Sequence, residues 1–178
     1  MVRVRISDAA PSNILSKSFI RSAKMTIMII KSVSSPIGFF DAKYNEIWLV
    51  ELSFIGQNKS KHPADDNLQR SIDLFFSKKG LESLPLMDLR GTDFQVSVWH
   101  ALCAIPRGST SSYKDIAEQI GSPNASRAVG TACKLNPIPL FVPCHRVVKQ
   151  DHSIGQFALG THNKKYLLSM EALKNDHS

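Results

Sequence analysis

The sequence lacks long apolar runs and has few cysteines. No stretch approaches the roughly 18 consecutive apolar residues that span a bilayer, so we expect no membrane helix. The three cysteines, Cys103, Cys133 and Cys144, are odd in number and separated by ordinary core sequence. Such a set is unlike the disulfide framework of a small secreted protein, and it lacks the paired spacing of a zinc site. We therefore predict free thiols in a reducing cytoplasm and no bound metal.

Acidic residues are in the minority. The chain of 178 residues has 22 basic and 15 acidic residues, a formal net charge of +7. A basic excess suits an anionic partner such as nucleic acid, but it also occurs on surfaces that bind nothing. Residues 1–24 hold five of the basic residues and one acidic residue, and they have no long apolar core. We predict a disordered basic extension there; an organellar transit peptide, or a true start at Met25, stays open.

Residues 25–86 have the pattern of a small α/β domain. Apolar runs at 27–30, 37–40 and 47–52 predict an antiparallel meander. Four apolar residues then fall at helical spacing, namely Leu68, Ile72, Phe75 and Phe76. No group of residues here suggests catalysis, so we assign this domain a supporting role.

Residues 87–173 form a second, mostly helical domain in this interpretation, followed by a tail at 174–178. Thr92 and Gln95 have the spacing of a capping box, and Ser112 can cap a helix over 113–120. Ser122 then caps a helix that starts at Pro123 and runs to residue 134. The tight turn between these two helices predicts a helix-turn-helix, and a last helix is predicted over 161–173.

The second helix of this motif carries small residues over most of its surface. Its longer face comprises Arg127, Gly130, Thr131 and Lys134. Such a helix can approach a partner's backbone closely, with one long cation projecting. Alternatively, the small residues only permit close packing in a core.

Cys144 and His145 are adjacent in Pro143-Cys144-His145-Arg146-Val147, after an apolar run. A thiol beside an imidazole is a candidate nucleophile, but the side chains of adjacent residues diverge, so a water is needed between them. Glu171 shares a stripe of the last helix with two leucines, where a carboxylate needs a partner. We therefore expect Glu171 to orient His145, which polarises the water that takes the proton of Cys144. Alternatively, Glu171 lies at the solvated edge of the stripe.

Six stretches of residues 91–171 resemble, in order, the C-terminal domain of the O6-alkylguanine-DNA alkyltransferases, also called methylated-DNA–protein-cysteine methyltransferases. They are Gly91-Thr92-x-Phe94-Gln95, Ile105-Pro106-x-Gly108-x-Thr110-x-Ser112-Tyr113, Arg127-Ala128-Val129-Gly130, Asn136-Pro137-Ile138-Pro139, Pro143-Cys144-His145-Arg146-Val147 and Lys164-x-x-Leu167-Leu168-x-x-Glu171. Ser35-Pro36-Ile37-Gly38 resembles the start of the family's N-terminal ribonuclease-H-like domain.

The resemblance implies a two-domain α/β (α+β) fold. Its N-terminal part would be a small ribonuclease-H-like antiparallel sheet with a helix, and its C-terminal part a winged-helix or helix-turn-helix-like alkyltransferase domain. The implied function is direct-reversal DNA repair: the protein flips an O6-alkylguanine out of the duplex and transfers the alkyl group once to Cys144. O4-alkylthymine is a further candidate substrate. The protein would act as a monomer on the minor groove of double-stranded DNA, without a cofactor, near the nucleoid or in a eukaryotic nucleus.

The same resemblance assigns individual roles. Cys144 would accept the alkyl group, with His145 and Glu171 as its relay. Tyr113 would help to rotate the nucleotide, and Arg127 would fill the gap in the stack. The other residues expected at the DNA are Ala125, Ser126, Ala128, Gly130 and Thr131; those expected at the base are Val147, Phe157 and Ala158, and Asn136 would brace the turn before Cys144.

Two residues depart from the family pattern. Phe157 stands where tyrosine is usual, and Gln156 stands where a small residue or asparagine is usual. The range of alkyl groups accepted is therefore open. One alternative function is a lesion-binding alkyltransferase-like protein, although that type lacks the acceptor cysteine. A cysteine hydrolase is the other, although its histidine ordinarily lies far from its cysteine in sequence.

Overall fold

The computed structural model describes residues 2–6 and 28–172. Its strands are β1 (Val2–Ile6), β2 (Met28–Ser35), β3 (Gly38–Asn45), β4 (Trp48–Gly56), β5 (Met87–Gly91), β6 (Ser111–Ser112) and β7 (Val147–Val148). Its helices are α1 (Asp66–Phe76), α2 (Asp93–Cys103), α3 (Tyr113–Gln119), α4 (Ser126–Lys134) and α5 (Thr161–Ala172), with a 3-10 turn at Cys144–Arg146. No helix within these ranges is both long and apolar enough to cross a membrane.

The N-terminal sheet has the strand order β1-β5-β4-β3-β2. The predicted meander is confirmed, because β2, β3 and β4 pair antiparallel in sequence order. The turn between β2 and β3 requires Gly38, whose φ is 134° and where a Cβ would collide with the carbonyl oxygen of Gly56. The sheet as a whole is mixed rather than antiparallel, since β4 and β5 pair in parallel.

The sequence pattern misses two strands of this sheet. β1 pairs with β5, so the predicted disordered extension is wrong for residues 2–6, while residues 7–24 lie outside the described residues. β5 lies beyond the predicted domain boundary at residue 86, yet it belongs to the N-terminal sheet. The sequence does not indicate β5, because the strand contains the charged residues Asp88 and Arg90. In the structure Asp88 is fully buried and accepts hydrogen bonds from Arg90.

α1 packs against the sheet and has the apolar face that the sequence predicts. Asp65 caps it by accepting a hydrogen bond from the N–H of Leu68 at 3.1 Å, and Ile72 and Phe75 face the core. The hydroxyl of Tyr44 donates to the buried carboxylate of Asp65 at 2.6 Å. Burial, with the hydrogen bond and charge of Asp65, raises the pKa of Tyr44, so this hydroxyl stays protonated. The start of α1 is thereby tied to β3.

Two predicted helix caps in the C-terminal part are confirmed. Thr92 and Gln95 form a capping box at the start of α2. Ser112 caps α3, and Asp115 completes a second box there. The last helix, α5, starts at the predicted residue, Thr161, and extends to Ala172, where the described residues stop.

The predicted start of α4 is wrong. Its cap residue is Ala125 and the helix begins at Ser126, three residues after the predicted start at Pro123. The N–H of Ala125 donates to the carbonyl of Ser122 at 2.9 Å, so Pro123 occupies the second position of a tight turn, where its fixed φ is equally suitable. α3 and α4 still pack against each other as a helix-turn-helix pair.

Three contacts position the segment that follows α4. The indole N–H of Trp99 on α2 donates to the carbonyl of Ala132 at 3.0 Å. The N–H of Leu52 on β4 donates to the carbonyl of Pro137 at 2.8 Å, which joins the N-terminal sheet to the C-terminal part. β6 and β7 pair in parallel, which places the start of α3 beside Val147–Val148. The fold is therefore the predicted α/β combination of an N-terminal sheet with C-terminal helices; its ribonuclease-H-like and winged-helix details stay predictions.

Replacing Tyr44 with phenylalanine should destabilise the protein by about 1–2 kcal/mol, because the buried Asp65 carboxylate loses a hydrogen-bond donor. Urea unfolding measures this change. Tyr166→Phe is the matched control, since Tyr166 is 41% exposed and should tolerate the loss of its hydroxyl. Equal stability of the two variants would contradict the role assigned to the Tyr44–Asp65 bond.

Candidate active site

Cys144 begins a 3-10 turn that the apolar run before it holds in the core. Its side chain is only 4% exposed. The side-chain amide of Asn136 donates both to Sγ of Cys144, at 3.1 Å, and to the carbonyl of Val142, at 2.7 Å. The carbonyl oxygen of the same amide accepts a hydrogen bond from the N–H of Ile138 at 3.0 Å. Asn136 therefore lies where the sequence analysis places it, between the end of α4 and the turn of Cys144.

His145 and Glu171 meet in the interior, as predicted. Both are at most 1% exposed, and Nε2 of His145 lies 3.2 Å from Oε1 of Glu171. No described residue hydrogen-bonds to the other ring nitrogen, Nδ1, although it too is buried. Burial lowers the pKa of His145, against the opposing effect of Glu171, so the imidazole is neutral at rest. The solvated-edge alternative for Glu171 is wrong.

Arg146 is a partner of Glu171 that the sequence analysis missed. Its Nε donates to Oε2 and one terminal nitrogen donates to Oε1, both at 2.9 Å, in the bidentate geometry that suits a carboxylate. Its other terminal nitrogen donates to the carbonyl of Ile105 at 2.7 Å. Burial raises the pKa of Glu171, but the hydrogen bonds from His145 and Arg146 outweigh it and hold that pKa at about 2. A single histidine leaves acceptor sites of a buried carboxylate unsatisfied, so a further donor is needed, but the sequence does not identify Arg146 as that donor.

Lys164 is the second functional residue that sequence reasoning missed. The sequence analysis names it in the family-like stretch Lys164-x-x-Leu167-Leu168-x-x-Glu171 and gives it no role, yet its side chain is fully buried. Its ammonium donates to the carbonyl of Val147 at 2.6 Å and to that of Gln156 at 3.4 Å. These bonds connect the residue after the Cys144 turn to the loop that follows β7.

A cavity of about 870 Å³ reaches Cys144 from the surface. It is lined by the predicted residues Tyr113, Ser126, Arg127, Gly130, Thr131, Phe157 and Ala158, and also by Cys133, Lys134, Lys149, Gly155 and Gln156. Its predominantly small or apolar wall can admit a flat base, and the exposed cations at its mouth can face phosphates. Ala125, Ala128 and Val147 belong to the predicted set but do not line the cavity.

Tyr113 lies half-buried at this cavity, next to two glycines. A Cβ on Gly155 would lie 3.4 Å from its hydroxyl, and one on Gly130 would lie 3.8 Å from its ring. Small residues on both elements therefore leave room for the phenol. Burial, and then the charges that Cys133 and Cys144 can carry, raise the pKa of Tyr113.

Aromatic rings enclose His145 from two parts of the chain. Phe75, at the end of α1, has its ring centroid 6.0 Å from the imidazole, and Phe157 lies 6.3 Å away. Phe157 replaces the family's usual tyrosine and supplies an apolar wall without a hydroxyl. Among residues 28–172 no cluster of three or more histidine, cysteine or acidic side chains could hold a metal.

Comparisons with known proteins agree with this arrangement. A family model described as 6-O-methylguanine DNA methyltransferase, DNA binding domain, matches residues 93–173. The methylated-DNA–protein-cysteine methyltransferase of Methanosarcina barkeri is 44% identical over 149 residues, which cover 78% of this chain and 94% of the relative. The regulatory protein Ada of Salmonella typhimurium is 40% identical over 72% of this chain, but only 37% of its own length is matched. The crystal structure of Mycobacterium tuberculosis OGT in complex with DNA has a TM-score of 0.73 and 37% identity, covering 82% of this chain and 93% of that one.

Glu171→Gln should destabilise the protein by about 3–5 kcal/mol at neutral pH, because Arg146 loses a buried carboxylate partner. The folded pKa of Glu171 lies below its ordinary value of 4.5, so its contribution is complete above that pH and disappears as the pH falls toward about 2. The difference in the free energy of unfolding between wild type and variant should therefore become smaller as the pH falls.

Chemical denaturation between pH 3 and pH 7 tests this expectation. Glu118→Gln is the control, because Glu118 is an exposed carboxylate on α3 whose ion pair with Lys114 spans 3.7 Å. If the stability lost in Glu171→Gln is the same at every pH, the assigned ion pair is ruled out.

Proposed function

The chain belongs to the methylated-DNA–protein-cysteine methyltransferases and acts in direct-reversal DNA repair, and within that activity we propose that Cys144 is the alkyl acceptor. The observation that carries this proposal is the position of Cys144 at the base of a cavity, backed by the buried pair of His145 and Glu171. The substrate is O6-alkylguanine in double-stranded DNA, with O4-alkylthymine as a second candidate.

The ionised carboxylate of Glu171 fixes the direction of proton transfer. Because it can only accept hydrogen bonds, Nε2 of His145 must carry the hydrogen between them. Nδ1 is then the free base. We propose that Nδ1 takes the proton of Cys144 through one bridging water. The thiolate attacks the alkyl carbon, and the carbon–O6 bond breaks with its electron pair going to the base. The proton that His145 took from Cys144 returns through water to the base, which leaves as neutral guanine.

The product explains why the reaction happens once. An alkyl group on sulfur is a thioether, which has no activated carbonyl for water to attack. Nothing in the relay of His145 and Glu171 can reverse that bond. The protein should therefore be consumed in proportion to the lesions it repairs.

α4 is the element that we propose for the minor groove. Arg127 is exposed at the mouth of the cavity, while Gly130 and the exposed Ala128 allow a close approach to the duplex backbone. The reacting atom is buried within a duplex, so the nucleotide must rotate out at a cost of a few kcal/mol. Arg127 would refill the stack, and Tyr113 would crowd the phosphate of the flipped nucleotide. We expect a monomer to bind, with a salt-dependent affinity that varies little with sequence.

The flipped base would be read by backbone groups around Cys144. The carbonyls of Cys144 and Val147 would accept hydrogen bonds from the guanine amino group, and the N–H of Ala158 would donate to O6. Phe157 would pack against the ring. Lys164 already donates to the carbonyl of Val147, whose second lone pair remains for the base.

Incubation with a duplex that contains one O6-methylguanine should place one methyl group on Cys144. Trypsin separates the two relevant thiols, because Cys144 falls in the peptide of residues 135–146 and Cys133 in that of residues 128–134. Mass analysis should find the methyl group on the former alone. Folded protein that leaves this peptide unmodified, or that repairs several lesions per molecule, would defeat the proposal.

Arg127→Ala should slow repair of duplex DNA by about tenfold or more, because the flipped state loses the side chain that stabilises it. Transfer from free O6-methylguanine base should change little. Single-turnover rates on both substrates give the comparison, with Arg70→Ala on the exposed side of α1 as a control that should affect neither. Equal losses on duplex and free base would argue against a role in flipping.

A further inference from the structure

Lys164 is a buried cation whose charge the proposed relay does not use. It lies on α5 with a side chain that is fully buried. The bonds of its ammonium go to two neutral acceptors, the carbonyls of Val147 and Gln156. An ammonium removed from water is costly unless an opposite charge compensates it, so its position needs an explanation beyond loop packing.

No carboxylate in the described part of the chain supplies that compensation. Within residues 28–172 Lys164 forms no ion pair with an acidic side chain. Glu171, on the same helix, is fully occupied by His145 and by the bidentate bonds of Arg146. Burial accordingly lowers the pKa of Lys164.

The backbone connects this ammonium to the turn that carries the acceptor thiol. The N–H of Val147 donates to the carbonyl of Cys144 and closes the 3-10 turn, while the carbonyl of Val147 receives the ammonium at 2.6 Å. One residue therefore connects both groups. Burial raises the pKa of Cys144, and the hydrogen bond from Asn136 and the charge of Lys164 oppose that rise. Reciprocally, the thiols of Cys144 and Cys133 raise the pKa of Lys164.

Cys133 is the less suitable counter-charge of the two. Burial raises its pKa to about 12, so it remains a neutral thiol at physiological pH. It also lacks the Asn136 donor and the adjacent imidazole that serve Cys144. The charge of Lys164 is therefore directed to the sulfur that must ionise.

We infer that Lys164 is the counter-ion of the Cys144 thiolate, held in place by the carbonyls of Val147 and Gln156. It touches neither the water nor the base, and it remains an ammonium throughout; the proton of the thiol still leaves toward His145. Its role is to lower the free energy of the thiolate in a dry site, and as a step in alkyl transfer this inference rests on the proposed function of Cys144. Its second bond also ties the loop of Gln156 to the turn of Cys144.

The reaction of Cys144 with iodoacetamide across a range of pH tests the inference without DNA. The alkylation rate of Cys144 follows its thiolate fraction, so a plot of rate against pH has its midpoint at the pKa of the thiol. The tryptic peptide of residues 135–146 reports the alkylation of Cys144 separately from that of Cys133. Lys164→Met should move the midpoint of the profile upward by about one pH unit or more, which slows the reaction about tenfold at neutral pH. Lys165→Met is the matched control, because Lys165 is the next residue and is exposed, and its midpoint should equal that of the wild type.

A second variant separates charge from hydrogen bonding. Lys164→Gln removes the charge but keeps an amide donor for the two carbonyls, and Lys164→Arg keeps a positive charge. The glutamine variant should show the raised midpoint, and the arginine variant should stay near the wild type. Should the methionine variant fail to fold, the glutamine variant decides the question.

A folded neutral variant with the midpoint of the wild type would overturn the inference, as would an equal shift in Lys165→Met. The iodoacetamide result is independent of methyl transfer from O6-methylguanine duplex. If the wild type transfers no methyl group, the proposed function fails whatever the thiol profile shows; if it does transfer and the midpoint is unmoved, only the role of Lys164 fails.

Discussion

The buried carboxylate of Glu171 is the constraint on which the arrangement of the site depends. It lies on α5, far along the chain from Cys144, and draws two consecutive residues of the 3-10 turn toward it. Arg146 binds it through two nitrogens and so fixes the position of both oxygens. His145 can then meet Oε1 in one ring orientation only, which leaves Nδ1 as the free nitrogen. Without this anchor, a turn of three residues would have no reason to hold an imidazole in the interior.

The N-terminal part supports the site through packing. Phe75 stands at the end of α1 with its ring against His145, and the guanidinium of Arg107 donates to the carbonyls of Phe75 and Ser77 at 2.6 and 3.1 Å. These carbonyls are among those that a helix end leaves unpaired, so a cation there both satisfies them and suits the helix dipole. The backbone bond from Leu52 to Pro137 adds a second connection between the N-terminal sheet and the segment that leads to Cys144. The supporting role predicted for this part thus has a physical basis.

How much the sequence could reveal varied with the range of the interaction. Helix caps such as Thr92 with Gln95 depend on residues three apart, and they were readable without tertiary information. The pairing of His145 with Glu171 was also predictable, because an acid on an apolar stripe demands a partner. Arg146 and Lys164 were not, since a cation in sequence is ordinarily a solvated one, and only burial reveals which charges are compensated. β1 and β5 were missed for a related reason. Their pairing joins residues more than 80 positions apart, and the buried Asp88 interrupts the apolar pattern of β5.

In the proposed mechanism, charge balance would allow the site to ionise a buried thiol. Before reaction the site contains two cations, Arg146 and Lys164, and one carboxylate, Glu171, which is bound by Arg146. The imidazole and the thiol are neutral. Moving the proton of Cys144 to His145 creates two opposite charges in a dry interior, where separated charges are ordinarily unfavourable. Here each new charge has a partner already in place: the imidazolium faces Glu171, and in our inference the thiolate faces Lys164. Because Arg146 keeps Glu171 ionised at rest, no group has to move when the proton does. In this proposal, the bonds that fix these charges in the resting protein are the same ones that would favour the reactive form of Cys144.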